Sequence, residues 1–201
     1  KKLFFLKILK LNLKFLFSGD ELMTNSIRIV EDIFTKHNGL SMVNGLYIFN
    51  NGKTNQEAAK YFPEDRRVGV SELVKLGVYP SASTGTLNSV TYSKQGIGNL
   101  RLNPVFLGIA MFHNKILLNN GDIYYTNNIV GIFNLDAHKS FDKQFDYLYK
   151  YEYAFSKLHG LEESKVFFSK YEYDKICLNI ATQLIAECLS VGKTKLLLLL
   201  V

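Results

Sequence analysis

No stretch of this chain approaches the ~20 consecutive apolar residues that a membrane-spanning helix needs. The five leucines at 196–200 are a run of one residue type that adds no amphipathic pattern, and they read as a ragged end or a short docking segment. Cysteine is nearly absent: Cys177 and Cys188 are the only two in 201 residues. They share one helical pattern eleven residues apart, which puts them ~16 Å apart at 1.5 Å per residue, too far to bridge while that helix is intact. Two thiols without a framework suit a reducing compartment, so the cytosol is the expected location.

Catalytic signatures are scarce too. No serine lies in a Gly-x-Ser-x-Gly elbow, and no cysteine stands beside a histidine in a recognisable motif. Gly52-Lys53-Thr54 sits between a strand and a helix pattern, as a phosphate loop would, but the required glycine five positions earlier is Tyr47. Gly192-Lys193-Thr194 has Glu187 at that place. Gly96-Ile97-Gly98 begins like a dinucleotide fingerprint, yet Arg101 replaces its third glycine and Pro104 follows, so no helix opens there. There is no internal repeat and no linker long enough to divide two domains, and no cofactor is expected.

What is present is an ordinary globular composition, 47% hydrophobic and 21% charged, of a length that fits one domain and can bury a core. The formal charge of +6 is unevenly spread. Residues 1–22 hold five of the 24 basic and two of the 18 acidic residues, leaving 19 against 16, or +3, for the remainder. A change of character follows at Met23. Residues 1–22 form a lysine-studded apolar leader, and Gly19-Asp20-Glu21 can be encoded by a purine-rich run just before the Met23 codon, as a translated ribosome-binding site would be. The leader is therefore a candidate non-native segment. Alternatively it is a cationic amphipathic helix over residues 1–17 docking at a membrane surface, with Lys7, Lys10 and Lys14 on one face. It is a poor secretory signal, because those lysines interrupt its apolar stretch and no small-residue cleavage site follows.

The expected organisation is this leader, a single α+β domain over residues 23–192, and an apolar tail over 193–201. From Ser26 the pairs Ile29/Ile33 and Val30/Phe34 predict a helix stopped by Asn38-Gly39. Residues 43–49 read as a strand. After the Asn50-Asn51-Gly52 turn, Thr54-Asn55-Gln56-Glu57 has the form of a capping box and predicts a short helix ended by Pro63. Residues 71–76 predict another. Residues 86–93 read as an edge strand, and apolar segments at 105–112, 115–118, 123–126 and 129–135, joined by Asn-Gly and Asn-Asn signals, predict a central antiparallel meander. A C-terminal helical pair, from residue 141 to Gly160 and from Glu162 to Gly192, is expected to pack on one face, the second with Ile176, Ile180, Leu184 and Cys188 on one stripe.

Three functions compete. Residues 55–62 and 70–76 read as the two helices of a helix-turn-helix, so nucleic acid is the leading expected partner, met through residues 54–94 by Arg66, Arg67, Ser71, Lys75 and Lys94, in a protein that is not an enzyme. Asp136, His138 and Asp142, with Asp146, gather at a strand-to-helix junction and are weak candidates for a divalent cation, although acids in a first helical turn are favoured without one. His113 is the one histidine in an apolar strand pattern. Finally, Gln56-Glu57-Ala58-Ala59, Gly96-Ile97-Gly98 and the stretch at 108–119 around His113-Asn114 echo in order, and so resemble, short pieces of the glutaminase domain of class II glutamine amidotransferases. That resemblance implies a hydrolase whose N-terminal residue is the nucleophile, here Thr24 once Met23 is removed, with His113 and Asn114 in its site. The chain departs from the family: Thr24 follows Met23 where the family has cysteine, Lys115 follows Asn114 where it has glycine, and the arginine-bearing loop is missing.

Overall fold

A computed structural model describes residues 3–6, 12–17, 19–69, 72–73, 90–93, 116, 122–134, 162 and 165–190. It is an α+β arrangement built on one mixed eight-stranded sheet. The strands are β1 (Leu3–Leu6), β2 (Asn12–Phe17), β3 (Glu21–Leu22), β4 (Leu40–Asn50), β5 (Asn55–Glu57), β6 (Arg66–Gly69), β7 (Val90–Ser93) and β8 (Asp122–Asn134). Six of them run in the order β1-β2-β7-β4-β8-β3, while β5 pairs with β4 and β6 with β8. Among the described residues two complete α-helices accompany the sheet, α1 (Ser26–Lys36) and α2 (Lys170–Ser190), with a 3-10 turn at Lys165–Phe167.

The expected antiparallel meander is corrected in two respects. The sheet is mixed because its two longest strands, β4 and β8, run parallel, whereas every other pairing is antiparallel. Moreover the segments at 123–126 and 129–135 belong to a single strand. The Thr126-Asn127-Asn128 stretch between them is a bulge, where Asn44 pairs with Tyr125 but Leu46 pairs with Ile129. Local bonds satisfy the bulge: Asn128 donates its backbone N–H and its Nδ2 to the Thr126 hydroxyl at 3.3 and 2.7 Å, so the chain need not turn. Of the other expected meander strands, residues 105–112 lie outside the described residues, and Ile116 is helical and buried.

The leader is corrected as well. Among its described residues, 3–6 and 12–17 are strands rather than a surface helix, and β2 pairs with both β1 and β7. In Asn12-Leu13-Lys14-Phe15 polar and apolar residues alternate with period two before the apolar Leu16 and Phe17, which suits a strand inserted beside β7. That insertion makes β7 an interior strand, not the edge strand expected at 86–93. Gly19 and Asp20 are tied to the far end of β8, Asp20 accepting the Asn134 N–H at 3.1 Å.

Helix α1 turns its apolar stripe onto the sheet. Val30 and Ile33 are buried against Leu40, Val43 and Val130, with Ile29, Phe34 and Tyr124 packed around them. Each such aliphatic burial contributes about 1.5–3 kcal/mol. The His37 N–H donates to the Ile33 carbonyl at 3.0 Å, Lys36 complements the helix dipole, and Gly39 at φ 76° reverses the chain into β4. Gly45 cannot be larger, because a β-carbon there would lie 2.6 Å from both Val130 methyls.

The capping-box segment does not open a helix. Asn51 takes the Thr54 hydroxyl as a donor at 3.2 Å, together with the backbone N–H groups of Lys53 and Thr54 at 2.9 and 2.8 Å. With Gly52 at φ 81° this closes a hairpin, and residues 55–57 become β5 on β4. Among the described residues no helix is long and apolar enough to cross a membrane. The helix expected from residue 141 to Gly160 and the tail at 193–201 lie outside the described residues.

Candidate functional site

Register across the sheet sorts the side chains into rows, since directly paired residues share a face and neighbours along a strand do not. One row runs Lys14, Thr91, Val43, Tyr124, Arg67 on the face that α1 covers. The next runs Tyr92, Met42, Ile123, Val68 on the opposite face, all four buried. The third, on that same opposite face, runs Val90, Asn44, Tyr125, Arg66.

Arg66 and Arg67, expected to form one basic surface, therefore leave β6 on opposite sides. Arg67 pairs with Asp122 and donates from Nη1 to the Asn38 carbonyl at 3.0 Å, bracing the α1–β4 loop. Arg66 pairs with Glu72, and its guanidinium lies 4.9 Å from the centre of the Phe62 ring. That contact is a cation–π interaction at the rim of an aromatic group.

The group consists of two ring clusters, linked by the electrostatic influence of Tyr47 on the Tyr61 phenol. Phe62 meets Tyr125 edge-on at 4.9 Å and Tyr61 meets Tyr125 at 5.2 Å. The Tyr61 phenol is pushed up to about 12, first by burial and then by Tyr47. Tyr47 in turn meets Phe49 at 4.8 Å, and Phe49 meets Phe133 at 5.8 Å. Burial raises the Tyr125 phenol even further, so both phenols are protonated donors at physiological pH. Tyr47, Phe49, Tyr61, Phe62 and Phe133 are all half-buried.

The segment bearing Tyr61 and Phe62 is held by Asp65, whose carboxylate accepts the Thr126 hydroxyl at 2.6 Å and the Asn127 N–H at 2.7 Å. Asn127 also donates from Nδ2 to the Pro63 carbonyl at 3.0 Å. The bulge in β8 thus serves as the docking point for the aromatic segment. Asn44, paired in register with Tyr125, is 1% exposed, and among the described residues neither its amide oxygen nor its amide nitrogen has a hydrogen-bond partner. An orphaned buried amide costs about 1–3 kcal/mol.

Among the described residues, the cation moved furthest by its surroundings is elsewhere. Lys14 is 1% exposed and donates to the Thr91 hydroxyl at 3.4 Å, and burial pushes its pKa down to about 7. As part of a presumed surface helix it had no distinctive sequence signal. Its period-two spacing from Asn12 within an apolar stretch was the available one.

Of the other expected site residues, Ser71, Lys75, Lys94, His113, Asn114, Asp136, His138, Asp142 and Asp146 lie outside the described residues. Thr24 is exposed in the turn between β3 and α1, and the backbone N–H of the preceding Met23 donates to the Val130 carbonyl at 3.2 Å. Among the described residues no three His, Cys, Asp or Glu side chains gather to hold a metal. The helix-turn-helix expectation is corrected at its first helix: residues 55–57 are β5, and none of the residues from 58 to 65 is helical. The Asn51 turn and Pro63 leave too little chain between them for a recognition motif of that kind. No family model matches the chain, and no curated protein is similar enough to align with it.

Proposed function

We propose that the protein is a non-enzymatic binder of single-stranded nucleic acid, which it meets at the Tyr61–Phe62–Arg66 edge of its sheet. The observation that carries this reading is the Arg66 guanidinium 4.9 Å over Phe62, at the end of a group of half-buried rings. Base-on-aromatic stacking contributes about 1–3 kcal/mol per base and tolerates any sequence, because every base has a π-face. An exposed ion pair such as Arg66–Glu72 is worth only about 0–1 kcal/mol, so the guanidinium can exchange it for a phosphate at little cost. With residues 55–57 in a strand rather than a helix, unpaired bases are better supported than the major groove of a duplex.

The test is fluorescence anisotropy with a labelled single-stranded oligonucleotide of mixed sequence and the duplex of the same sequence, at low and raised salt. Tighter binding to the single strand is expected, with a log–log salt slope of about −0.7 per phosphate contact. Arg66→Ala and Phe62→Ala should each weaken it by roughly tenfold, equivalent to about 1.4 kcal/mol. Arg67→Ala should leave it nearly unchanged, since that side chain faces α1. Preference for the duplex, or equal losses from Arg66→Ala and Arg67→Ala, would contradict the assignment.

A further inference from the structure

The chain holds four asparagine–glycine pairs, Asn38-Gly39, Asn44-Gly45, Asn51-Gly52 and Asn120-Gly121, and the first three lie among the described residues. Glycine has no side chain to keep its backbone nitrogen away from the amide carbon of the asparagine before it. The fold treats the three pairs differently. Asn44 is buried inside β4, where the extended strand and the close approach of Val130 to Gly45 hold the pair rigid and away from water. Asn38 is exposed, but its carbonyl accepts Arg67 Nη1 at 3.0 Å, which pins the peptide group joining it to Gly39. Asn51 is exposed at the tip of the β4–β5 hairpin, and its side chain is folded forward along the chain. Its Oδ1 accepts the N–H groups of Lys53 and Thr54 at 2.9 and 2.8 Å and the Thr54 hydroxyl at 3.2 Å. The Gly52 N–H is directed at the Asn50 amide oxygen, 2.8 Å away.

We propose that Asn51 is a self-modification site, at which the folded chain converts its own amide to aspartate or isoaspartate. The Gly52 nitrogen attacks Cγ of Asn51, so that an N–Cγ bond forms and the Cγ–Nδ2 bond breaks. The departing nitrogen takes up, through solvent, the proton that the Gly52 nitrogen gives up, and it leaves as ammonia. Water then opens the cyclic imide. Hydrolysis at Cγ gives aspartate, whereas hydrolysis at the main-chain carbonyl gives an isoaspartyl link with one more methylene in the backbone. Nothing is oxidised or reduced, and water is the one co-reactant. During the attack negative charge gathers on Oδ1, the atom that three donors already surround, which is the arrangement of an oxyanion hole. The same three bonds hold Cγ beside the attacking peptide group, so little freedom is lost on ring closure. Gly52, at φ 81°, brings no β-carbon into the way. An aspartate at position 51 keeps the three donors and strengthens their bonds by its charge. An isoaspartyl link instead displaces the Asn51 N–H, which closes the hairpin by donating to the Thr54 carbonyl at 3.2 Å.

The chain carries its own control, because trypsin releases all three described pairs on one peptide, residues 37–53, between Lys36 and Lys53. The full chain is aged in mildly alkaline buffer, both folded and unfolded in urea, and then digested in heavy-oxygen water, which labels any conversion that occurs during digestion. Tandem mass spectrometry reads each asparagine separately. In the folded chain Asn51 is expected to convert roughly tenfold faster than Asn38 or Asn44, and in the unfolded chain the three should convert at similar rates. Thr54→Val, which deletes one of the three donors at an exposed position, should slow Asn51 several-fold and leave Asn38 as it was. Conversion of Asn38 or Asn44 in the folded chain at the rate of Asn51, or the same ranking with and without urea, overturns the assignment. An Asn51 rate indifferent to Thr54→Val overturns the part given to the donors.

Discussion

Lys14 and Arg67 stand on one row across the sheet, on β2 and β6, and they meet opposite fates. Lys14, on β2, is enclosed, with a single long hydrogen bond to Thr91 and no carboxylate partner among the described residues. Arg67, on β6, reaches the rim, where Asp122, a backbone carbonyl and water all receive it. Between them Thr91, Val43 and Tyr124 fill the row. A cation on a sheet face is thus governed by its access to water and an anion: the enclosed one sheds its proton near neutrality, and the rim cation forms an ion pair of small value.

The largest expected effect tests the enclosed end. Unfolded, Lys14 titrates near 10.5; folded, near 7. Between those values the unfolded chain binds a proton that the folded chain does not, so this residue makes stability rise with pH from about 7 to about 10.5. Below pH 7 both states are protonated and the buried ammonium exerts its full penalty, on the order of 5 kcal/mol for a shift of that size. The phenols of Tyr61, Tyr92 and Tyr125, raised by burial, act in the opposite sense above about pH 10. The quantity to compare is therefore the difference between wild type and Lys14→Met in urea unfolding at several pH values. Lys14→Met should be the more stable protein at pH 6, with the advantage shrinking as pH rises, and a pH-independent difference would refute the enclosure.

Next in size is Thr91→Val, which removes the hydroxyl that receives Lys14. A loss of about 1.5–3 kcal/mol is expected at pH 6, where the donor is charged, and a smaller one at pH 9. Equal losses at both would mean that Thr91 acts by packing alone. The smallest effect belongs to the rim: Arg67→Ala should cost no more than about 1 kcal/mol, and less in high salt. A loss comparable to that of Thr91→Val would show that the brace on Asn38 matters more than the ion pair.

Two tetrads show how far local pattern carries. Thr54-Asn55-Gln56-Glu57 and Ser169-Lys170-Tyr171-Glu172 have the same capping-box form, yet only the second caps a helix. Thr54 loses its hydroxyl to Asn51, and Pro63 lies six residues beyond Glu57, so no helix of useful length can follow. After Glu172 the apolar positions Tyr173, Ile176 and Cys177 step at helical spacing. Helix α1 was legible for a similar reason, its i,i+4 pairs ending at Asn38-Gly39. The parallel β4–β8 pairing was not, because strand direction depends on the whole intervening path rather than on either strand. Nor was the separation of Arg66 from Arg67: reading residues 66–69 as a connection between helices conceals the alternation that a strand imposes. The aromatic group was illegible in the same way, since its members come from three separate segments, β4, residues 61–62 and β8, that only the fold brings together.

The parallel pairing also sets an order of events during synthesis. Leu40 pairs with Asp122, 82 positions later, and Glu21 with Ile132, 111 positions later. A ribosome must therefore release most of the chain before β4 gains its longest neighbour or β3 gains any described partner. Until then β4, eleven residues long and strongly apolar, has an unpaired edge, the kind of surface that recruits other nascent chains. Loop closure over such distances is slow compared with helix formation, so α1 and its turn can form early and shield one face of β4 while the chain waits for β8.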